Sequence, residues 1–312
     1  MLSAKTNTAI AASLVFAIAL WGGNNAGTKW LVNTPPPWPP IWTGATRFLF
    51  AGVVLLGLLH RTNWLGTPHP LTRELKARLW WRGGLILAAY IVAFSCSLLY
   101  TSVSHVALYL GAAPVWALLW EGVPDRSWRT AQRYGAALLA LTGVFVLLWP
   151  ALKGSHASLP GELLGLAASI LWTGYGRQCR SLGAQLGGAE VSAHTMWRAG
   201  ALLLPIGIYE VATRGLPLGR MQIGVQIYCT LAGGVFAFAV WSNALRHWPT
   251  SQVLLFNNLI PLSTMTWAHF CLSEAITPTF WAAMVLIAAG VILGQMRFGK
   301  TAPSPPAMQP EA

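Results

Sequence analysis

The sequence predicts an all-α integral membrane protein with ten transmembrane helices arranged as two inverted five-helix repeats. Three observations carry this. Of 312 residues, 55% are hydrophobic and only 9% charged, against about 25% charged in a soluble domain. Charge-free windows of membrane-spanning length recur, at Thr6 to Thr28, Met221 to Leu245, Trp248 to Ser273 and Ala275 to Met296. Segments of the first half also reappear in the second at a nearly constant offset.

A bilayer core about 30 Å thick takes roughly 20 apolar residues per helix. On that measure the spans fall at 8–31, 39–59, 80–99, 103–121, 132–150, 161–178, 190–210, 221–244, 251–272 and 277–296. Lys5 precedes the first apolar run, which outlasts a cleavable leader and reads as a retained helix. Pro35 to Pro37, Pro39 and Pro40 stiffen the next turn and start the second helix. From Gly83 to Trp120, 38 residues pass without a formal charge; that is too many for one crossing. The polar run Tyr100, Thr101, Ser102, Ser104 and His105 therefore breaks it into a hairpin. His194 and Arg198 interrupt the apolar run of the seventh span, and without the sixth and seventh the alternative is eight spans. The proline-rich tail from Thr301 reads as disordered. The domain boundaries follow: 1–155, 156–298 and a tail of 299–312.

Lys and Arg accumulate in cytoplasmic loops. One set of alternate loops holds 14 of them, from Lys5 through the cluster at Arg61 to Arg82 and on to Lys300, and the other holds Lys153, Arg214 and Arg220. The expected orientation places both termini in the cytoplasm. Many of the 17 Trp stand near span ends, as interfacial belts do. The net charge of +12 does not imply nucleic acid, because no soluble segment is long enough to carry a basic module. The four cysteines lack CxxC spacing, so no metal site, cofactor or disulfide framework is expected.

The internal repeat is legible residue by residue. Trp21 in SLVFAIALWGG matches Trp172 in GLAASILWTGY, and Arg47 in ATRFLFAG matches Arg198 in TMWRAGAL, both 151 residues apart. SHVALYLGAAP matches SQVLLFNNLIP, and Gly143-Val144 matches Gly290-Val291, now 147 apart. Five helices per half is an odd number, so the second half enters the bilayer from the opposite face. Inverted repeats of this kind suit alternating access around a midplane site.

The run LWGGNNAGTKW, followed by TRFLFAG, resembles the opening of the drug/metabolite transporter superfamily in its ten-helix EamA-type branch. The closing segment LIPLSTMTWAHFCLSEAITPTFWAAMVLIAAGVILG is similar to that family's last two helices, including Pro261, Glu274, Trp281, Gly290 and Gly294. One departure is LLWEGVPDRSW, where the family shows Gly-Glu, so Glu121 need not share the role of Glu274. The resemblance implies a cell inner membrane protein whose central cavity is lined by helices one, three, four, six, eight and nine, exporting an amino acid or another small metabolite.

Three cations lie within predicted spans: Lys29, Arg47 and Arg198. A charge at the bilayer centre costs roughly 2.5–3.5 kcal/mol on insertion scales. Each therefore snorkels, pairs with helix-end groups or meets an anionic group of the substrate. No acidic residue lies mid-span, which points to a neutral, zwitterionic or anionic substrate. Polar and aromatic cavity candidates are Trp21, Asn24, Tyr100, His105, Tyr109, Trp172, Tyr175, Trp241, Asn257 and Asn258; as alternatives, the polar ones only join helices, and His105 is a satisfied structural histidine. Glycine pairs at Gly23/Gly27, Gly161/Gly165 and Gly290/Gly294 read as packing, with a homodimer through the last helix as the second reading. A membrane enzyme would need convergent nucleophiles, bases or ligands. The sequence offers no HExxH, no phosphate loop and no intramembrane His with an acid beside it. A membrane scaffold would explain the glycines but not the repeat.

Overall fold

The computed structural model describes residues 4–62, 65–101, 103–121, 126–153, 158–272, 276 and 278–296. The tail, Glu274 and the side chains of Ser104 and Cys271 lie outside what it describes. Among the described residues every element is helical: α1 (Ala4–Asn33), α2 (Pro40–Arg61), α3 (Arg73–Arg78), α4 (Leu85–Tyr100), α5 (Val103–Gly111), α6 (Ala113–Glu121), α7 (Trp128–Lys153), α8 (Leu159–Gly183), α9 (Gly188–Arg214), α10 (Arg220–Tyr228), α11 (Ala237–His247), α12 (Thr250–Asn257), α13 (Ile260–Leu272) and α14 (Pro278–Gln295). Among the described residues, six helical stretches are long and apolar enough to cross a bilayer: Thr6–Asn33, Pro40–Arg61, Arg73–Ser97, Trp128–Pro150, Arg220–His247 and Pro278–Gln295. Large apolar side chains such as Phe16, Phe50, Ile208, Val285 and Ile292 are exposed. An outer surface this apolar has lipid as its solvent, and the chain is an all-helical, multi-pass membrane protein.

Two helices widen where α-helix was expected to continue. A π-helical stretch, Leu79–Gly84, joins α3 to α4, and a second, Cys229–Phe236, joins α10 to α11. At their ends the Leu85 amide donates to the Trp80 carbonyl and the Ala237 amide to the Ala232 carbonyl, five residues back in each case. Such bulges hold one residue more than an α-turn.

Two spans read as continuous helices are instead broken: 103–121 at Ala112, and 251–272 at Asn258 and Leu259. Proline is the cause in both. Pro114 and Pro261 lack an amide hydrogen, and their rings crowd the carbonyls of Leu110 and Asn257, four residues earlier. Each proline then occupies the first turn of the following helix, where a missing donor costs nothing.

Apolar residues on one stripe of α2, from Ile41 through Ala45, Phe48, Ala51 and Leu55 to Leu59, are buried at helical spacing. They face α9. Helix α2 packs most extensively with α9, and α7 with α14; α4 with α8 and α1 with α13 follow. Glycines bring the backbones together. A Cβ on Gly200 would stand 2.5 Å from the Leu49 amide nitrogen, and one on Gly290 2.7 Å from that of Ala140. The contact of Gly143 with Ile287 reciprocates that of Gly290 with Ala140 at the 147-residue offset. Gly290 and Gly294 thus pack inside the chain against α7 and Leu255.

Carboxylates fasten helix ends. Glu210 Oε2 accepts from the Ile41 and Trp42 amides at 2.8 and 3.0 Å, at the start of α2. Glu121 does the same for α12, accepting from the Ser251 amide at 2.7 Å and pairing with Arg133. An anion at a helix N-terminus satisfies free N–H groups and opposes the helix dipole.

Candidate functional site

The interior of the bundle is aromatic. Trp21 on α1 meets Trp172 on α8 edge to face, ring centroids 6.1 Å apart. Trp172 stacks on Trp241 of α11 at 4.8 Å, and Tyr175 stacks on the same indole at 5.8 Å. Phe238 closes against Trp21 at 5.2 Å and Tyr90 against Trp172 at 5.0 Å. All of these rings but the partly buried Tyr90 are almost wholly enclosed, with Trp241 and Tyr175 fully buried. Four candidates named from sequence, Trp21, Trp172, Tyr175 and Trp241, therefore form one cluster.

Its polar edges are specific. Trp21 Nε1 donates to the Gly233 carbonyl at 2.9 Å, within the second π-helical stretch. Tyr175 shares a hydrogen bond with Thr195 at 2.9 Å. Among the described residues the buried Trp241 Nε1 finds no partner. An unmade indole bond in a dry interior costs free energy comparable to a lost hydrogen bond.

Arg47 borders the cluster through Phe48, its guanidinium 4.8 Å from that ring's centroid. Its Nη1 donates to Asn24 Oδ1 at 3.1 Å and to Thr28 Oγ1 at 3.2 Å. Those partners are neutral. The equivalent Arg198 is held differently: its Nη1 donates to the His194 carbonyl at 2.8 Å, and the group lies over the Trp197 and Trp80 rings at 4.3 and 5.3 Å. Arg198 is thus sealed among indoles and its own helix, while Arg47 reaches across to α1. Lys29 is exposed and lies outside the cluster.

Asn257 and Asn258 sit at the break between α12 and α13, 8% and 1% exposed. Among the described residues none bonds any of their four amide nitrogen and oxygen atoms. Asn258 Oδ1 faces the other break, 3.5 Å from where a Cβ on Gly111 would stand. Two interrupted helices and two unmade amides make this the polar counterpart of the aromatic cluster.

A second constellation lies at the start of α8. Glu162 accepts from Thr101 Oγ1, from Tyr109 Oη at 2.6 Å and, as its tautomer allows, from His105 Nδ1 at 2.9 Å. Here the structure corrects the sequence reading, which found no histidine beside an acid in a span. Thr101, His105 and Tyr109 recur every fourth residue, Thr101 in the extended turn before α5 and the other two on α5 itself, but Glu162 lies 53 to 61 residues further on. Folding alone brings it there, and Glu162 and Thr101 were missed as site residues. Tyr100 is 53% exposed and joins neither group through its ring, although its carbonyl accepts from Ser158.

Residues 159–294 match the EamA-like transporter family. The chain is 24% identical to an uncharacterized transporter of Bacillus subtilis over 90% of its own length and 92% of the relative's. It is 22% identical to an uncharacterized transporter of Archaeoglobus fulgidus, over 79% of this chain and 84% of that one. A probable amino-acid metabolite efflux pump of Salmonella typhimurium is 24% identical over 51% of this chain and 56% of its own. One crystal structure superposes with a TM-score of 0.72 at 20% identity, covering 92% of this chain and 97% of that chain, so the fold is shared.

Proposed function

This chain belongs to the drug/metabolite transporter superfamily, and from that premise we propose that it exports a small, neutral or zwitterionic metabolite such as an amino acid by alternating access around the central aromatic cluster. The observation that carries the reading is the meeting of Trp21 with Trp172, equivalent residues of the two halves, in the middle of the bundle. Each half then moves against the other about a point they build jointly.

The same reading takes residues 1–155 and 156–298 as inverted five-helix repeats and all ten segments expected from the sequence as spans. Support comes from pairs that correspond at the repeat offset. The π-helical stretches match, the breaks at Ala112 and Asn258 with Leu259 match, and Gly143 and Gly290 exchange contacts with each other's helices. Both termini are cytoplasmic in this arrangement and the membrane is the cell inner membrane, in keeping with the loop charges.

In the site, indole and phenol faces hold an apolar side chain, Asn257 and Asn258 bond its polar groups, and Arg47 draws its carboxylate. The protein is a carrier and performs no covalent step on the metabolite. Two relatives named as probable amino-acid metabolite efflux pumps favour an amino acid. The test is counterflow in proteoliposomes loaded with single radiolabelled amino acids. Saturable exchange supports the proposal; correctly folded protein that moves none of them, nor related metabolites, refutes it.

A further inference from the structure

Away from the aromatic cluster, the end of α7, the start of α8 and α5 enclose a groove of about 420 Å³. Among the described residues that line it are one lysine and one carboxylate, with His105 Nδ1 2.9 Å from the latter. Lys153 ends α7 and Glu162 lies in the first turn of α8, and both line the groove without pairing with each other. The Lys153 ammonium sits 4.9 Å from the centroid of the Trp149 ring. Glu162 already accepts from three side chains, and a carboxylate offers about four acceptor positions, so one remains.

The wall of the groove continues onto the outer surface. Phe145 and Trp149, one turn apart on α7, are 41% and 43% exposed, and Leu163 on α8 is 56% exposed. In a membrane protein such a strip lies against acyl chains. A site with an apolar, lipid-facing side and a head bearing one cation and one carboxylate complements a molecule built the same way.

We propose that this groove binds a zwitterionic phospholipid of the phosphatidylethanolamine class, with its phosphate on Lys153, its primary ammonium on Glu162 and an acyl chain along Phe145. The charges select among headgroups. An anionic headgroup sets its charge against Glu162, and a choline headgroup has no N–H to give the carboxylate. A free amino acid has no chain to cover Phe145 and Trp149. Because Glu162 also ties α5 to α8, the lipid headgroup shares the carboxylate that holds these two helices together. The inference concerns the bilayer and is independent of what the central site carries.

The test is native mass spectrometry of the detergent-purified full chain, titrated with dioleoyl phosphatidylethanolamine, its mono- and dimethyl derivatives and the choline lipid. Affinity is expected to fall about tenfold, the weight of one charge-assisted hydrogen bond, at the last methylation, where the final N–H is lost. Lys153→Gln is expected to weaken every phospholipid by about tenfold, since all present a phosphate. Glu162→Gln should erase the preference for ethanolamine over choline, with circular dichroism reporting the fold; if that variant does not fold, the methylation series on the unaltered chain decides. Equal affinity across the series, an unaffected Lys153→Gln variant, or displacement of the ethanolamine lipid by a free amino acid would each overturn the assignment.

Discussion

Trp21 and Trp172 stand 151 residues apart in the chain, yet their rings meet at 6.1 Å with an interplanar angle of 72°. The contact joins α1 to α8 and is braced on both sides by Phe238 and Trp241. Ring against ring, it fills this part of the interior with apolar surface.

Trp172→Ala would leave a large cavity and cost about 3–5 kcal/mol, confounding function with folding. Trp172→Phe keeps a ring against Trp241 and is the cleaner probe. The expected outcome is a protein that melts within a few degrees of the unaltered chain but exchanges substrate about tenfold more slowly, as one lost aromatic contact of about 1 kcal/mol or more would give. Proteoliposome counterflow and a detergent melt measure the two quantities side by side.

The two equivalent arginines should separate by phenotype. Arg47→Gln removes a guanidinium whose partners, Asn24 and Thr28, are neutral. Substrate half-saturation is expected to rise about tenfold, with Arg47→Lys intermediate because the planar fork is lost while the charge stays. Arg198→Gln should act on folding instead, lowering melting temperature and yield, since Arg198 is 4% exposed and bonded within its own helix. Kinetics for one and thermal melts for the other check the assignment; a half-saturation change in both would contradict it.

Asn258→Leu is nearly isosteric and replaces an amide that makes no bond. Exchanging an unsatisfied buried polar group for an apolar one is neutral or stabilising. Stability is therefore expected to hold or rise while exchange falls sharply. A destabilised Asn258→Leu protein would mean that the amide serves the fold.

Glycine tests the packing directly. Gly290→Ala places a methyl 2.7 Å from the Ala140 nitrogen, a backbone atom that cannot swing aside, and is expected to cost about 1–3 kcal/mol. Gly57→Ala, with nothing within 4 Å of the new carbon, should be neutral or gain up to about 1 kcal/mol from helix propensity. Parallel melts of the two variants supply the contrast.

Composition and periodicity disclosed the helices and, through the repeat, the central tryptophans. They disclosed less where a feature depends on neighbours distant in sequence. Arg47 and Arg198 look alike in sequence, but Asn24 and Thr28 from α1 serve the first and His194 from the same helix serves the second. Glu162 was passed over because its donors are on α5 and the turn before it. Pro114 and Pro261 were visible all along. Hydropathy windows average over single residues, so the breaks those prolines impose were smoothed into continuous spans.

The widened turn at Leu79–Gly84 gives α4 one residue of slack. Removing a residue there should let the turn relax to ordinary pitch while Tyr90 keeps its heading toward Trp172. The same excision just beyond Tyr90 cannot be absorbed there without turning Tyr90 itself, and the remainder of the helix would swing by about 100°. One short stretch thus tolerates a change of chain length that its immediate surroundings refuse, and paired deletions followed by melts and counterflow would locate that tolerance to within a turn.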